Sequence, residues 1–438
     1  MKKLNSSIRR RDFIKTGAAA GIYLATGGQA NSFAGNSSQP NIRIGFVGVG
    51  SRGTGMLKVA LSIGGIEVPA VCDIVEERVE NARRLVEEAG QPKPKGFTGA
   101  EGYKKLTDLK DLDAVFTATP WHLHTPVMVA AMKSGKYGAT EVPACDGYDQ
   151  AWELVETSEQ TGMPCMMMEN CTYMRNVMMI LNMVQKGMFG DISHCETGYQ
   201  HDTRYVTIGP KGVLLWRAYE RALNNNGNRY PTHGIGPVAQ WTNINRGNKF
   251  EYLVSMSSRS LGLNYYASKK FGADHQTAKM KFALGDVNTS LIQTNNGITI
   301  TLYYDPQTPR PYDLIYRIQG TKGIYSGTMD KIYLEDLSPQ SHQWEDVDKY
   351  LKEYDHPLWK EHGTKAESSG HGGSDYLCFR DFAEAVRNRT EVPVDVYDAA
   401  SWSIITKLTE ESVNNRSRPV DFPDFTKGKW QNRKPRAI

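Results

Sequence analysis

Short apolar runs alternate with amphipathic stretches along residues 40–160, and this alternation predicts strands and helices in turn. The runs IRIGFVGV, VPAVCD, DAVFTATP and KYGATEVPA have the length and the β-branched content of buried strands. The stretches ENARRLVEEAG and TPVMVAAMKSG repeat apolar residues at helical spacing. Strands that alternate with helices form βαβ units, so the pattern predicts a parallel sheet.

The pattern changes after residue 190, where strands follow one another with few helices between them. The segments that predict strands are HCETGYQHD, KFEYLVSMSSRS, TSLIQTNNGITITLYYD, YDLIYRIQGTKGIYSG and KIYLEDL. Asn295-Asn296-Gly297 predicts a hairpin turn, so we expect a large, mostly antiparallel sheet. Two amphipathic stretches follow, SDYLCFRDFAEAVRN and AASWSIITKLTEESVNN, and the second is expected to pack back towards the first half of the chain.

Composition and charge narrow the classes of protein. The chain is 39% hydrophobic and 23% charged, which are globular values, and no apolar run after the N-terminal segment is long enough for a stable membrane span. The isoelectric point of about 8.5 reflects the N-terminus: residues 1–35 carry a net charge of +5, which leaves −1 for the remainder and argues against a nucleic-acid partner. The six cysteines lack metal-ligand spacing and are expected to be buried free thiols. The oligomeric state stays open.

The N-terminal segment RRRDFIKTGAAAGIYLATG predicts a cleavable export signal. A basic region precedes an apolar run that is too short to span a membrane, and small residues follow it. Arg10, Arg11, Phe13 and Lys15 fit the twin-arginine pattern, whose export machinery would be a partner and which carries folded cargo to a periplasmic or secreted location. An ordinary secretory signal is the alternative. Export in the folded state would suit a protein that is loaded with a cofactor before it leaves the cytoplasm.

A glycine-rich turn follows the first predicted strand and opens a predicted helix. Gly48, Gly50 and Gly53 match the dinucleotide fingerprint Gly-x-Gly-x-x-Gly in the strand–turn–helix context that it requires. Asp73 ends the next strand, twenty residues after Gly53, where a carboxylate can accept hydrogen bonds from the adenosine ribose. The same charge repels a 2′-phosphate, so the pattern predicts NAD rather than NADP.

Two further segments should face the nicotinamide half of the cofactor, because ligands of open parallel sheets lie beyond the carboxyl ends of the strands. They are the TATPWHLHT loop and the end of GATEVPA, and they supply Trp121, His122, His124 and Glu141. The two histidines are two residues apart, but without a third ligand nearby we expect no metal site.

The fold class that follows is α/β, with an N-terminal Rossmann dinucleotide-binding domain and a C-terminal α+β domain built on the large, mostly antiparallel sheet. Its predicted divisions are residues 1–35 for the signal, 40–160 for the Rossmann domain, 161–390 for the α+β domain, and 391–438 for a C-terminal helix and tail.

The order of these parts resembles the Gfo/Idh/MocA oxidoreductases. The segment ATPWHLH is similar to that family's Thr-x-Pro-x-x-x-His, and Thr140-Glu141-Val142-Pro143 occupies the place of its Glu-Lys-Pro signature. In the sugar dehydrogenases of the family, the lysine assists proton removal from the hydroxyl that is oxidised. Val142 cannot transfer a proton, and the family's Asp-x-Gly-x-His signature is replaced around His233. Both departures argue against a simple alcohol dehydrogenase.

The replacing segments resemble glycoside hydrolase family 109, which comprises NAD-dependent α-N-acetylgalactosaminidases with twin-arginine signals. Those segments are EVPACDGYDQAWELVETSEQTG, MMMENCTYMRNVMMILNMVQKGMFG, GYQHD, NRYPTHGIGP and PRPYDLIYRIQGTKG. The resemblance implies that NAD is held tightly and recycled. Beyond the glycine turn, the residues it implies for the cofactor are Ser51, Arg52, Asp73, Trp121, His122, Leu123, His124, Glu141, Val142, Asn170 and Arg217. The residues it implies for the sugar are Tyr199, Arg217, Tyr230, Pro231, Thr232, His233 and Tyr312.

The chemistry expected from this resemblance needs no pair of catalytic carboxylates. NAD-dependent glycosidases are an exception to the two-carboxylate rule, and the reaction begins with transient oxidation at C3 of the sugar. We expect His233 and a tyrosine, Tyr199 or Tyr173, to share the proton transfers at C2 and C3. Two alternatives are a net sugar or inositol dehydrogenase and a non-catalytic periplasmic sugar-binding protein.

Overall fold

The computed structural model describes residues 41–436. The twin-arginine residues Arg10, Arg11, Phe13 and Lys15 lie outside the described residues, so the predicted signal remains a prediction. Within residues 41–436, none of the helices combines the length and the apolar character needed to cross a bilayer.

The first sheet has six parallel strands in the order β3-β2-β1-β4-β5-β6, as the βαβ pattern predicted. Its strands are β1 (Ile42–Val47), β2 (Ile66–Asp73), β3 (Lys95–Thr98), β4 (Ala114–Thr117), β5 (Tyr137–Thr140) and β6 (Cys165–Met167). Its helices are α1 (Ser51–Ser62), α2 (Glu76–Glu88), α3 (Gly102–Thr107), α4 (His124–Lys133) and α5 (Tyr148–Thr161). The central strands are buried, which explains why they read as continuous apolar runs.

Two glycines of the fingerprint are required by close approach. Gly48 has a φ of +79°, and a Cβ there would lie 2.8 Å from the backbone of Ala118. A Cβ at Gly53 would lie 1.8 Å from the carbonyl oxygen of Gly48. Gly50 is different, because a Cβ there would meet no atom closer than 3.5 Å. Gly48 and Gly53 therefore let the turn and the start of α1 pack closely, and Gly50 leaves open space beside the backbone.

The second sheet has nine strands in the order β14-β13-β12-β11-β7-β10-β9-β8-β15, and all neighbours are antiparallel except β7 and β10. Its strands are β7 (Ile192–Gln200), β8 (Phe250–Ser257), β9 (Asn288–Thr294), β10 (Thr299–Asp305), β11 (Arg317–Gly320), β12 (Gly323–Ser326), β13 (Lys331–Leu334), β14 (Glu345–Asp346) and β15 (Val420–Asp421). The helices of this half are α6 (Arg175–Gln185), α7 (Thr232–Trp241), α8 (Gly262–Phe271), α9 (Leu351–Tyr354), α10 (Pro357–Ala366), α11 (Ser374–Asn388), α12 (Val396–Ser403) and α13 (Ile405–Asn414). The mostly antiparallel sheet and the predicted fold class are confirmed.

Two predicted elements differ from the observed ones. YDLIYRIQG was predicted as one strand, but β11 begins only at Arg317, because Ile315 and Tyr316 have φ values of 66° and 44°. Asp313 stabilises this turn, since its carboxylate accepts a hydrogen bond from the Ile315 amide at 2.8 Å. AASWSIITKLTEESVNN forms two helices that meet at Ile404, and the first of them, α12, packs against α5.

Helix α11 comes late in the chain but packs on the first sheet. Phe379 stacks on Phe46 of β1, with ring centroids 6.0 Å apart, and contacts Phe116 of β4 at 5.8 Å. All three rings are fully buried. This aromatic contact places the start of α11 beside the carboxyl ends of the parallel strands.

Removing the Phe379 ring should destabilise the protein, because the truncation leaves a cavity between α11 and the sheet. We expect Phe379→Ala to lower the free energy of unfolding by about 3–5 kcal/mol, measured by chemical denaturation. Met256→Ala is the control, since Met256 is 67% exposed and its truncation should cost little. Equal effects of the two variants would contradict this account.

Candidate active site

A cavity of about 1400 Å³ opens at the carboxyl ends of the parallel strands. The first turn of α1 faces it and contains no acidic residue, so the amide groups and the helix dipole there favour an anion. The predicted cofactor residues that line it are Gly48, Gly50, Ser51, Arg52, Asp73, His122, Leu123 and Arg217. The geometry thus brings together most of the residues that the fingerprint and the resemblance selected.

Asp73 lies at the end of β2, where the fingerprint placed it. Its side chain is buried, and one carboxylate oxygen accepts a hydrogen bond from the Val75 amide at 3.0 Å. Arg78 approaches the same oxygen at 3.6 Å and also lines the cavity. The carboxylate is therefore oriented by its own loop and lies at the cavity wall.

Arg52 forms the most connected ion-pair group at the cavity. Its Nε donates to Glu141 at 2.7 Å, and its two terminal nitrogens donate to the two oxygens of Asp375 at 2.7 and 2.9 Å. Asp375 also accepts from His371 at 2.7 Å and from the Asn170 amide at 2.8 Å. Much of the donor capacity of Arg52 is thus taken by carboxylates, so it acts on the site by holding Glu141 and Asp375 in place.

The two carboxylates have opposite pKa shifts. Burial raises the pKa of Glu141, and the positive charge of Arg52 only partly offsets it. The pKa of Asp375 is held well below its usual range, because hydrogen bonds from His371 and Arg52 outweigh its burial. Val142, which follows Glu141, is buried and offers no proton-transfer group at this edge.

The WHLH segment divides into cavity-facing and buried residues. His122 and Leu123 line the cavity, and His122 donates through Nδ1 to Glu220 at 2.6 Å. The assignment of His124 to the cofactor is corrected. His124 is buried with Nδ1 2.6 Å from the Pro143 carbonyl and Nε2 2.8 Å from the Thr119 carbonyl, so it joins two loops.

Trp121 connects the cavity to a cluster of aromatic side chains. Its ring stacks on Tyr230 with centroids 5.6 Å apart, and Trp216 meets it edge-on at 5.6 Å. Arg217 lies over both tryptophans, at 5.8 and 4.9 Å. We call Trp121, Tyr199, Tyr230, His233 and Tyr312 the aromatic cluster.

The cluster brings together four predicted sugar residues from three parts of the chain. Tyr199 at the end of β7 contacts Tyr230 at 4.9 Å, His233 at 5.6 Å and Tyr312 at 6.1 Å, between ring centroids. Tyr312 is 50% exposed, whereas Tyr230 and Tyr199 are mostly buried. Burial raises the pKa of all three hydroxyls, so they are neutral hydrogen-bonding groups near neutral pH.

His233 occupies the second position of α7 and is partly open, with 16% of its side chain exposed. Its Nδ1 donates to Glu169 at 2.7 Å, and its Nε2 lies 3.5 Å from the Tyr230 hydroxyl. Burial lowers the pKa of His233, but interactions with the groups around it, including the Glu169 carboxylate, raise it well above its ordinary value.

Burial corrects one further assignment, and two other predicted site residues lie buried beside the sugar residues. Tyr173 is fully buried, donates to Asp381 at 3.0 Å and lies under the guanidinium of Arg436, so it cannot meet a ligand. Pro231 and Thr232 are buried at the start of α7, where they place the residues on either side of them. The choice between Tyr199 and Tyr173 therefore falls on Tyr199.

The sequence analysis missed several residues that the structure places here. Glu169 follows β6 and is fully buried. The Nδ1 atom of His201 lies 2.9 Å from the Tyr199 hydroxyl. Asp375 lies in the first turn of α11, and His371 lies in the turn just before that helix. Glu169 follows a strand of the parallel sheet, a position that could have suggested it. His371 and Asp375 carried no such signal, because helix packing alone brings them to the cavity.

Glu169, Cys171 and His233 also form a group of metal-ligand type, although we predicted no metal site. Their possible donor atoms all lie within 4.8 Å of one another. A bound ion would have to displace the direct Nδ1 contact of His233 with Glu169. The hydrogen bond accounts for the grouping by itself.

Comparison with known proteins separates the chain into the same two halves. Residues 42–169 match the family described as "Oxidoreductase family, NAD-binding Rossmann fold". Residues 173–432 match the family described as "Glycosyl hydrolase 109, C-terminal domain". The first half is therefore an NAD-binding Rossmann fold, as the glycine fingerprint predicted.

Similar solved structures support the fold. A levoglucosan dehydrogenase solved with NADH and L-sorbose has a TM-score of 0.68 at 18% identity, covering 88% of this chain and all of that one. A scyllo-inositol dehydrogenase from Lactobacillus casei has a TM-score of 0.62 at 15% identity, covering 88% of this chain and 99% of that one.

Similar sequences support the family. A glycosyl hydrolase family 109 protein from Shewanella pealeana is 44% identical over 403 residues, which cover 91% of this chain and 88% of the relative. A protein from Shewanella oneidensis named "Alpha-N-acetylgalactosaminidase" is 40% identical over 456 residues, covering 99% of each chain. Family models match both halves of the chain in order, and relatives that are 40–44% identical cover more than nine tenths of it. The chain therefore belongs to glycosyl hydrolase family 109.

Proposed function

We propose that this protein hydrolyses glycosides with a terminal α-linked N-acetylgalactosamine and keeps NAD as a recycled cofactor. The observation that carries the proposal is the chain of contacts from the dinucleotide cavity to the aromatic cluster. Trp216 and Arg217 line the cavity and both contact Trp121, whose ring stacks on Tyr230. A relative that bears this activity in its name is 40% identical over 99% of the chain.

The residues at the cavity fit NAD. Gly50 leaves space beside its backbone at the start of α1, and Asp73 presents a carboxylate at the cavity wall. Asn170 donates to Asp375, but its buried Oδ1 has no hydrogen-bond partner within residues 41–436 and is available to a ligand. Ser51, Asp73, Leu123 and Asn170 would hold the cofactor, and Arg52 would fix the carboxylates around it.

NAD, when bound, supplies a reversible oxidation at C3 of the sugar. His233 then has a defined task, since a C3 ketone makes the C2 hydrogen acidic. With Nδ1–H donating to Glu169, Nε2 is the nitrogen that takes the C2 proton while the glycosidic oxygen leaves C1. Water adds at C1 and gives up one proton, which balances the proton that the departing oxygen takes up. The proton on Nε2 then returns to C2, and the C3 ketone is reduced back to the alcohol. Tyr199, neutral near pH 7, hydrogen-bonds at the C3 oxygen.

A net sugar dehydrogenase is the second candidate, because similar folds include proteins named as dehydrogenases. In the Gfo/Idh/MocA pattern a lysine follows the glutamate, and here Val142 is apolar and buried. A histidine paired with a buried carboxylate is an arrangement suited to a general base, which favours catalysis over sugar binding alone. Both observations favour the hydrolase.

Cleavage in deuterated water distinguishes these candidates. We expect released N-acetylgalactosamine to carry deuterium at C2, because the proton held on Nε2 exchanges with solvent, and this is measured by mass spectrometry and NMR. No net NADH should accumulate over many turnovers. The variants His233→Ala and Tyr199→Phe should lose the exchange but keep bound NAD. An unlabelled C2 or one NADH per product would overturn the mechanism.

Asp73→Ala should weaken retention of NAD. A charge-assisted hydrogen bond to a ribose hydroxyl is worth about 1.5–3 kcal/mol, so the affinity should fall by about tenfold or more. Cofactor content after purification and NAD titration measure this change. Asp274→Ala, at a fully exposed side chain, is the matched control. An unchanged NAD content in Asp73→Ala would remove Asp73 from the cofactor site.

We propose export by the twin-arginine route to the periplasm or beyond. Changing Arg10 and Arg11 together to lysine keeps the charge but breaks the pair, so folded protein with bound NAD should remain in the cytoplasm. Cell fractionation measures its location. Arg9→Lys is the control, because it leaves Arg10 and Arg11 intact. Continued export of the double variant would indicate the general secretory route.

A further inference from the structure

The carboxylate of Glu169 is placed under His233 and away from solvent. Glu169 is 0% exposed, and its Oε1 accepts from His233 Nδ1 at 2.7 Å and from the Cys171 amide at 3.1 Å. Its Oε2 is buried and has no hydrogen-bond partner within residues 41–436. A buried carboxylate with so few donors is costly unless a positive charge lies beside it. His233 is the group that can supply this charge.

The contact also decides which imidazole nitrogen carries a proton. An ionised carboxylate can only accept hydrogen bonds, so the nitrogen facing it, Nδ1, must be the donor. Nε2 is then the nitrogen that changes its protonation, and it faces Tyr230 in the aromatic cluster. The Tyr316 hydroxyl donates to the His233 carbonyl and holds the backbone at the same point.

Other titratable groups surround His233 but supply less negative charge at neutral pH. They are Cys171, Tyr199, Tyr230, Tyr312, Tyr316, His201 and Glu141. Burial raises the pKa of the Cys171 thiol and of the four tyrosines, so these groups are uncharged there. Burial also raises the pKa of Glu141, and Arg52 pairs with it. Glu169 is the carboxylate in direct contact with the ring.

We infer that Glu169 is the positioning residue of the site: it holds His233 with Nδ1 protonated and Nε2 facing the sugar, and it stabilises the imidazolium that forms during the reaction. The role of Glu169 in the reaction rests on the proposed function, whereas its contact with His233 does not. The competing explanation is that Glu169 only caps the turn Asn170–Tyr173 by accepting from Cys171. Glu169→Gln separates the two, because its amide oxygen can still accept that bond but carries no charge.

The first test reads His233 directly and needs no turnover. NMR of the NAD-loaded enzyme with labelled histidine should show Nδ1 protonated throughout and Nε2 titrating above the ordinary value. In Glu169→Gln this transition should move to lower pH by about one unit or more, because the negative charge is gone. Wild-type spectra with the proton on Nε2 and an unprotonated Nδ1 would overturn the inference even if the variant failed to fold.

The second test measures turnover of an aryl α-N-acetylgalactosaminide. We expect kcat of Glu169→Gln to fall about 100-fold or more, with KM, bound NAD and melting temperature little changed. The low-pH limb of kcat should also move to lower pH, because neutral Nε2 is the active form. Asp381→Asn is the matched control, since it removes the charge of a mostly buried carboxylate, which accepts from the Tyr173 hydroxyl outside the site.

The outcomes distinguish the two proposals. If the wild type does not cleave the substrate but its His233 shows the expected NMR behaviour, the proposed function fails and the role of Glu169 stands. If the wild type is active and Glu169→Gln keeps its full rate and pH profile, Glu169 is only a cap. Equal losses in Glu169→Gln and Asp381→Asn would likewise assign a structural role.

Discussion

The guanidinium of Arg52 is the point on which the arrangement of the active site depends. It joins the first turn of α1, the residue after β5 and the start of α11, through Glu141 and Asp375. These segments are up to 323 residues apart in sequence. Without a cation between them, the buried carboxylates of Glu141 and Asp375 would repel each other. The arrangement of the site therefore depends on the ion pairs that Arg52 makes with both. The aromatic packing of Phe379 brings α11 close enough to complete it.

A second charged contact, between His233 and Glu169, lies at the neighbouring strand end. Glu141 follows β5 and Glu169 follows β6, and these two strands are paired in the parallel sheet. Glu141 is held by Arg52, which stays charged, whereas Glu169 is held by His233, which can give up its proton. The parallel sheet thus supplies both carboxylates, and the second half of the chain supplies the histidine and tyrosines. Val142 is consistent with this division, because proton transfer is assigned to His233.

The sequence predicted the fold closely, because periodicity and turn chemistry act locally. The parallel strands, the fingerprint turn and the Asn295–Gly297 hairpin follow from residues near one another in the chain. Predictions failed where a residue's environment is set by distant contacts. Tyr173 carries the right chemistry, but Asp381 and Arg436 enclose it. The strand predicted from Tyr312 begins only at Arg317, because Ile315 and Tyr316 adopt left-handed backbone angles that its apolar pattern does not reveal.

By itself the sequence determined the two-part fold, the NAD fingerprint with Asp73, and the family signature around His233, because each is written in residues close together. Only the tertiary structure decided which polar groups meet. Glu169 reaches His233 across 64 residues, and Asp375 reaches Arg52 across 323. No local pattern encodes such pairs, since they depend on how helices pack on the sheet. Burial then sets their charges, because the cost of an unpaired ion is small in water and large inside the protein.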